Sequence, residues 1–369
     1  MTIETRAFAR AGLLGNPSDQ YYGKIIAVSV KNFSARVSLE ESSELRIETS
    51  ARDAEVYRDK REFTERLDLY GYYGGTRLIK AALKTFFDHC RSLDIPLRPE
   101  NFSLRYNSDI PRQVGMAGSS ALIVAAMRAL MEFYAVRIRE EVLPTLVLQA
   151  ELKELGINAG YMDRVIQVYE GCVYMNLERG LVEQKGFGEY ERLDTSLLPP
   201  LYLAYKPDLG KVSGTVHNEL RTAYDRGDAA AIRTIEEIAG LAEEGRRGYC
   251  QGDFSAWPDL MNRNFDLRAR VMKISPSNRE IVQAARRCGA SANFAGSGGS
   301  IVGIYEDEEM FICLSRGLGR IGARVSSRRL PEAECFHNRK AKPKRVISAG
   351  RSARSSFSPR PSITSTARS

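Results

Sequence analysis

The chain has 369 residues, of which 43% are hydrophobic and 27% are charged, so it is long enough for two folded domains with a sizeable core. It has no apolar run of the roughly 18 residues that a membrane helix needs, and residues 1–10 lack the apolar stretch of a signal peptide, so we expect a cytoplasmic protein without a membrane partner. The net charge of +8 arises in residues 339–369, which hold nine Lys or Arg and no acid, whereas the rest of the chain has 45 basic and 46 acidic residues.

This basic tail, residues 339–369, is rich in Ser and Pro and poor in apolar residues, so we expect it to be disordered. Phe357 is its one aromatic residue, so base stacking, and with it a nucleic-acid partner, is not indicated. No two cysteines form a Cys-x-x-Cys pair, which indicates neither a zinc site nor a disulfide framework. The spacing instead predicts buried or inert thiols at Cys90, Cys172, Cys250, Cys288, Cys313 and Cys335.

Strand and helix patterns alternate in the first half of the chain. Residues 24–39 are rich in β-branched residues and partly alternate in polarity, which predicts a strand with a break near Asn32. A helix is predicted at 76–90, a strand at 102–106, and a strongly apolar helix at 119–134, where two serine hydroxyls would satisfy the free amides at the helix start. Further helices are predicted at 144–155 and 161–169, and a strand at 171–177.

The second half combines one long helical region with short strands. A strand is predicted at 201–205, mostly helix at 215–289, and a strand, Gly-rich turn and strand at 293–305. This mixture predicts an α+β fold with antiparallel sheets. Gly and Pro residues between 180 and 200 favour a boundary there, so we expect domains at 1–190 and 191–335, followed by the tail.

Small residues lie between a strand and a helix at 111–121 (Pro-Arg-Gln-Val-Gly-Met-Ala-Gly-Ser-Ser-Ala). The free amides and positive dipole end of a helix start bind anions, and glycines let the backbone approach a phosphate closely. A serine hydroxyl there can bind a phosphate oxygen or Mg²⁺. No Gly-Lys-Ser/Thr follows, so this segment is not a Walker loop, and an ordinary capped helix remains the alternative interpretation.

Three carboxylates stand out elsewhere. Glu151 and Asp163 lie twelve residues apart on neighbouring predicted helices, so they could converge, one to hold Mg²⁺ and the other to accept or polarise a substrate hydroxyl. Asp19 ends the turn Gly-Asn-Pro-Ser-Asp at 15–19, and is either a turn residue or a hydroxyl-binding carboxylate beside Arg10. A Gly-rich segment, Ala-Gly-Ser-Gly-Gly-Ser at 295–300, joins two predicted strands.

In this order, Arg10 with residues 15–19, residues 111–121 and residues 296–300 resemble the three signature motifs of the GHMP kinases. The resemblance implies a two-domain GHMP fold: an N-terminal domain with a mixed or antiparallel sheet, phosphate loop and helices, a ferredoxin-like α+β C-terminal domain, and an active site in the cleft between them. Longer stretches resemble the plant glucuronokinases within that superfamily, at 8–10, 14–19, 71–75, 110–113, 159–165 and 241–246.

The resemblance implies roles for the matching residues. Asp163 would be the general base or orient the sugar hydroxyl, and Arg10 would stabilise charge near the transferred phosphoryl group. Asp19 would bind sugar hydroxyls. Glu151 and either Ser119 or Ser120 would hold Mg²⁺. The residues expected to bind ATP are Gly115, Met116, Ala117, Gly118, Ser119, Ser120, Gly296, Ser297 and Gly298.

A uronic acid carries a carboxylate, so its site should contain a cation. Arg112 and Arg164 are the candidates, with surface charges as the alternative interpretation, and Tyr72 is a candidate for the pocket wall or for simple packing. Three departures from the motifs matter. Asn16 and Pro17 replace the Glu-His of galactokinases, so galactose recognition does not carry over. The loop has one extra residue before the serine pair, so either Ser119 or Ser120 could hold Mg²⁺. Residues 294–295 (Phe-Ala) stand where many members have a polar residue before the Gly-rich motif.

The expected reaction is therefore ATP plus D-glucuronate giving ADP plus D-glucuronate 1-phosphate, with Mg²⁺, feeding UDP-glucuronate synthesis. The partners would be ATP and the sugar acid, and the chain would be a monomer or a homodimer. The alternatives are another GHMP sugar 1-kinase, for galacturonate, galactose or arabinose, and a catalytically silent sugar-sensing homologue.

Overall fold

The computed structural model describes residues 2–50, 53–72, 74–207 and 220–327, and these residues belong to one compact unit. The tail expected to be disordered, residues 339–369, lies outside this range. None of the helices in the described ranges is both long and apolar enough to cross a membrane.

The first of two sheets in the described residues contains seven strands in the order β4-β3-β5-β2-β6-β7, with β1 on the other edge of β2. The strands are β1 (Thr2–Leu14), β2 (Lys24–Ser42), β3 (Leu45–Ser50), β4 (Asp53–Tyr57), β5 (Asn101–Ser108), β6 (Cys172–Asn176) and β7 (Glu189–Leu193). β1 and β2 pair antiparallel from Thr2 opposite Glu40 to Leu14 opposite Ile26, whereas β3 and β5 pair in parallel, so this sheet is mixed and not purely antiparallel as expected.

The break expected near Asn32 is a bulge within a continuous strand. Phe8 pairs with Ser34 but its neighbour Ala9 pairs with Val30, so residues 31–33 have no partner in the β1–β2 register. A bulge of this kind increases the local twist without ending the strand. As a result β2 presents its first half to β6 and its second half to β5.

Helices flank this sheet: α1 (Lys60–Tyr70), α2 (Arg77–Ser92), α3 (Gly118–Phe133), α4 (Leu143–Gln149), α5 (Met162–Tyr169) and α6 (Arg179–Lys185). α3 packs against β1 and β2, and its buried residues include Ala121, Ala125 and Ala129, whose small side chains permit a close approach to the strands. α4 ends earlier than expected and continues as a π-helical segment, Ala150–Glu154.

The second sheet has the order β11-β8-β10-β9 and is antiparallel throughout the described residues. Its strands are β8 (Leu201–Tyr205), β9 (Asn293–Phe294), β10 (Ser300–Ile304) and β11 (Arg324–Ser327). Residues 220–225 are helical, and longer helices follow: α7 (Ala229–Gln251), α8 (Trp257–Val271), α9 (Pro276–Arg287) and α10 (Glu308–Arg320). Side-chain caps at Asp228, Ser275 and Asp307 fix the starts of α7, α9 and α10.

Two expectations require correction. Cys288 and Cys313 form a disulfide between the end of α9 and α10, although no spacing motif links them. Of the other cysteines described, Cys90 and Cys172 are buried free thiols and Cys250 is an exposed one. The serine pair does not cap α3: the Ser120 hydroxyl donates to the Ala117 carbonyl (3.2 Å) within the first turn.

Candidate active site

Arg10 joins the three sequence motifs at one guanidinium. It lies on β1 and is buried, with Nε donating to Oδ1 of Asp163 at 2.6 Å. Its Nη1 donates to the carbonyls of Gly115 (2.6 Å) and Ala295 (2.9 Å), one in each glycine-containing loop. Residues separated by up to 285 positions in the chain therefore meet at a single side chain.

The two loops pack directly on each other, which explains their glycines. Gly115 has φ +71°, and a Cβ there would lie 2.6 Å from the Gly298 carbonyl oxygen and 2.9 Å from the Ser297 nitrogen. A Cβ at Gly296 would lie 2.1 Å from the Gly115 carbonyl oxygen. The Ser300 hydroxyl also donates to the Val114 carbonyl (2.6 Å). Larger residues at these glycines would force the loops apart.

The start of α3 leaves backbone amides without helical partners. Ala117 is left-handed (φ 62°) and immediately precedes the helix, whose first-turn amides have no intrahelical acceptors. Ser119 is exposed at this end of the helix, whereas Ser120 is buried and its hydroxyl donates to the Ala117 carbonyl. Met116 is buried. Ser119 is therefore the better placed of the two hydroxyls to meet an incoming ligand.

Asp163 lies beside this helix start, at the first turn of α5. Its Oδ1 accepts from Arg10 and its Oδ2 is 3.4 Å from Nη1 of Arg164, so two cations flank one carboxylate. One turn further along α5, Gln167 donates from Nε2 to the Ala117 carbonyl (2.9 Å). This bond fixes α5 against the start of α3, and Asp163 keeps 18% of its side chain exposed.

Arg164 and Glu151 form a buried ion pair rather than two open ligands. Nε of Arg164 donates to Oε2 of Glu151 at 2.6 Å, Nη2 donates to the same oxygen, and Nη1 donates to the Gly160 carbonyl (2.7 Å). Burial raises the pKa of Glu151, although the Arg164 charge opposes it. Burial lowers the pKa of Arg164, but the Glu151 and Asp163 charges outweigh burial and raise it above its ordinary value.

This pairing revises two predicted roles. Glu151 is 2% exposed and its charge is already neutralised, which suits a support for Arg164 better than an Mg²⁺ ligand. Arg164 has its donors on Glu151 and Gly160 and lies against Asp163, so these contacts suit the positioning of that carboxylate better than the predicted binding of a sugar acid. In the ranges that the structure covers, no group of three His, Cys, Asp or Glu side chains is arranged to hold a metal ion.

Asp19 is buried in a 3₁₀ turn, Ser18–Tyr21, and its Oδ2 accepts from the Met162 amide (3.0 Å) at the start of α5. Burial raises the pKa of Asp19 to about 6; the Asp163 charge adds to this, while the Met162 amide, Arg164 and Arg10 oppose it. A carboxylate with a pKa near 6 is mostly ionised at neutral pH, where it can accept hydrogen bonds from the hydroxyls of a ligand. Asp19 and Asp163 are therefore neighbours at one site.

The remaining predicted residues lie further out. Arg112 is exposed in the turn that leads to α3. The Tyr72 hydroxyl donates to the carboxylate of Glu154, at the end of the π-helical segment, so this side chain supports that segment. Both residues stay candidates for ligand contact, with no hydrogen bond that favours such a role.

The sequence interpretation missed two residues of α8. Asn264 donates from Nδ2 to the Asn16 carbonyl (2.8 Å) and accepts from the Gly15 amide (2.6 Å), which holds the first motif in place. Arg268, one turn later, donates from Nη1 to the Gly296 carbonyl (2.8 Å). Both are fully buried. Their spacing of four residues on the apolar face of a helix was the available signal.

The chain is similar to GHMP kinase domains and to two plant proteins. The profile for the GHMP kinases N-terminal domain matches residues 77–171, and that for the GHMP kinases C-terminal domain matches residues 240–310. Glucuronokinase 1 of Arabidopsis thaliana is 45% identical over 306 residues, covering 81% of this chain and 84% of that protein. Probable glucuronokinase 2 of the same plant is 45% identical over 307 residues, covering 81% and 83%.

The solved structure of Lactococcus lactis galactokinase complexed with galactose is similar in fold. It has a TM-score of 0.74 and 13% sequence identity, and the match covers 89% of this chain and 93% of that chain. At this identity the likeness concerns the fold alone.

Proposed function

Since this chain belongs to the GHMP kinase family, we propose that it transfers the terminal phosphoryl group of ATP to the anomeric hydroxyl of D-glucuronate. The C1 oxygen attacks the γ-phosphorus, the bond to the β–γ bridging oxygen breaks so that ADP leaves, and the hydroxyl proton is released to solvent. The products are D-glucuronate 1-phosphate and ADP, and the sugar phosphate would feed UDP-glucuronate synthesis. Support for the substrate comes from the 45% identity to the Arabidopsis glucuronokinases.

The observation that carries this proposal is the Arg10 bridge. One guanidinium contacts Asp163 and the backbone of both glycine-containing loops, so a hydroxyl at Asp163 and a phosphate at the loops would meet beside it. Phosphoryl transfer needs mainly positioning and charge stabilisation, and both are available here. Nη2 of Arg10 has no hydrogen-bond acceptor among the described residues and is free for a phosphoryl oxygen.

Asp163 orients the sugar hydroxyl in this proposal. Arg10 and Arg164 flank its carboxylate, whose oxygens can accept a hydrogen bond from the C1 hydroxyl. A loose phosphoryl-transfer transition state requires little proton abstraction before bond cleavage. Orientation is thus the larger part of its contribution. Asp19, on the other side of Met162, would accept further sugar hydroxyls.

The nucleotide phosphates would lie at the start of α3. The amides of 118–120 suit an anion, and the exposed Ser119 hydroxyl can reach a phosphate-bound Mg²⁺. Mg²⁺ usually keeps several waters and takes its other ligands from phosphates, so one hydroxyl and the ATP oxygens are a sufficient set. When bound, the ion would neutralise charge on the β- and γ-phosphates.

The domain boundary near residue 190 is part of this proposal. The first sheet uses residues up to 193 and the second begins at 201, and the two family profiles match one region on each side. Arg10 belongs to the first region and Ala295 to the second. The reacting groups would therefore lie where the two proposed domains meet.

The test is a panel of sugars offered to purified protein with ATP and Mg²⁺, with ADP formation as the readout. D-glucuronate should give the highest kcat/KM among D-glucuronate, D-galacturonate, D-galactose and L-arabinose. A matched sample of Asp163→Asn should be nearly inactive, which identifies the activity as this protein's own. Faster turnover of galacturonate or galactose would contradict the substrate, and no turnover of any sugar would contradict the kinase proposal.

A further inference from the structure

Arg268 is a buried cation without a counter-ion among the described residues. Its side chain on α8 is 0% exposed, and Nη1 donates to the Gly296 carbonyl (2.8 Å). Its Nε and Nη2 are also buried, and no acceptor in the described ranges lies within hydrogen-bond distance of either atom. Buried donors of a charged group that lack partners are costly and rare, so they need a physical explanation.

The two unpartnered atoms have the geometry of a ligand site. In a planar guanidinium, Nε–H and Nη2–H point from the same edge and match the two oxygens of a carboxylate. The opposite side of the group is already used: Nη1 is on Gly296, and the guanidinium carbon lies 5.2 Å from the centre of the Phe294 ring. Packing therefore fixes the orientation and leaves one complete donor edge available.

This edge belongs to the same neighbourhood as the proposed sugar site. The Gly296 carbonyl that accepts from Arg268 also accepts from Nδ2 of Asn16 (3.1 Å), three residues before Asp19. Burial lowers the pKa of Arg268 to about 10, the Asp19 charge raises it, and the Arg10 charge lowers it further. Arg268 thus remains protonated at neutral pH and feels the charges of both site residues.

The other candidate cations are less suitable. Arg164 is occupied by Glu151 and Gly160, and Arg112 is exposed to water, where an ion pair contributes little. Arg10 has Nε on Asp163 and Nη1 on the two loop carbonyls, and its remaining nitrogen, Nη2, is the one assigned above to a phosphoryl oxygen. A sugar acid bound beside Asp19 would find its free donors on Arg268.

We propose that Arg268 binds the carboxylate of the uronic acid through Nε and Nη2, and that it thereby selects acidic over neutral sugars. The inference rests on the proposed kinase function and names the specificity residue of that site. The guanidinium is fully covered in this conformation, so sugar binding has to uncover Nε and Nη2.

The experiment compares D-glucuronate with D-glucuronamide, which has nearly the same shape and no charge. Arg268→Met should lower kcat/KM for D-glucuronate by about 30-fold or more, the effect of removing one member of a buried charge pair. The value for D-glucuronamide should change by less than about threefold, and KM for ATP should stay near the wild-type value. Arg270→Met, the same substitution at an exposed position of the same helix, is the matched control and should leave the ratio of the two sugars unchanged.

Equal losses for the two sugars would overturn the assignment, because they would show that Arg268 only supports Gly296. If wild type turns over D-glucuronate but Arg268→Met keeps its preference for it, the assignment fails and the proposed function stands. If wild type turns over no uronic acid, both fail. If Arg268→Met does not fold, wild-type crystals soaked with D-glucuronate provide the test. We expect the sugar carboxylate within hydrogen-bond distance of Nε and Nη2 of Arg268, and a carboxylate bound elsewhere would overturn the proposal.

Discussion

Gly160 lies where the chain passes against Asp19, and this close approach leaves no room for a side chain. A Cβ there would lie 2.1 Å from Oδ2 and 2.7 Å from Cγ of Asp19, and 2.8 Å from Cγ of Gln20. The Gly160→Ala variant must therefore push the Asp19 carboxylate away from the Met162 amide. The backbone conformation itself accepts alanine, so the effect comes from the contact alone.

The cost follows from two contributions. Overpacking a dense site costs about 1–3 kcal/mol, and a hydrogen bond to a charged group contributes about 1.5–3 kcal/mol. The free energy of unfolding should therefore fall by about 2.5–6 kcal/mol. Since Asp19 is the proposed ligand of sugar hydroxyls, KM for the sugar should also rise about tenfold or more. KM for ATP should change little, because the start of α3 is not displaced.

Urea unfolding followed by circular dichroism and steady-state kinetics measure these two effects. Gly240→Ala is the matched control: Gly240 lies in α7 with no heavy atom near the added Cβ, so alanine should stabilise the helix by up to about 1 kcal/mol. A Gly160→Ala protein with an unfolding free energy within about 1 kcal/mol of wild type and an unchanged sugar KM would refute the packing of Asp19 described above.

Four further predictions concern the carboxylates and the serine pair. Asp163→Asn should lower kcat by about 10²–10⁴-fold while nucleotide affinity by isothermal titration stays within about threefold; turnover near the wild-type level would contradict the orienting role. Because the pKa of Asp19 is raised from 3.8 to about 6, kcat/KM for the sugar should rise with pH through about 6 in wild type, and this step should be missing in Asp19→Asn. By the same shift, the contribution of Asp19 to stability is complete below pH 3.8 and is lost as the pH rises through about 6. The unfolding free energy of wild type relative to Asp19→Asn should therefore decline between pH 3.8 and about 6. A difference that stays constant over this range would contradict the burial of this group. Ser119→Ala should raise the Mg²⁺ concentration needed for half-maximal rate by about tenfold, whereas Ser120→Ala should not; the reverse order would contradict the assignment of the exposed hydroxyl.

The sequence predicted the elements well where periodicity was strong. The helix expected at 161–169 is α5, Met162–Tyr169, and the strand expected at 201–205 is β8, Leu201–Tyr205. The convergence of Arg10 and Asp163 was also expected, because both residues match motifs whose spatial relation the GHMP kinase fold fixes. The α+β fold and the family are confirmed by the two family profiles and the 45% identical relatives.

Partner choices among charged residues were not predictable in the same way. Glu151 and Arg164 were each assigned a ligand, because a sequence shows charges without showing which ones face each other. Glu151 lies in a π-helical segment and pairs with Arg164. The periodicity of the sequence does not predict such a segment. Arg268 lies on the buried face of a helix far along the chain, and only tertiary packing brings it to Gly296.

The disulfide was missed for a related reason. Cys288 and Cys313 are 25 residues apart and belong to no spacing motif, so their pairing depends on how α9 and α10 pack. The side chains that anchor those helices, such as Ile281 and Leu314, are visible in the sequence only as apolar positions. Their apolar character predicts that Ile281 and Leu314 are buried, but it does not predict which residues they pack against.

The position of the transferred phosphate tests the central proposal most directly. Purified protein, ATP, Mg²⁺ and D-glucuronate can be followed by phosphorus and proton nuclear magnetic resonance. We predict one new sugar phosphate whose phosphorus couples to the anomeric proton, formed in step with ADP and absent with Asp163→Asn. A phosphate on another carbon, or ADP released without any sugar phosphate, would contradict it.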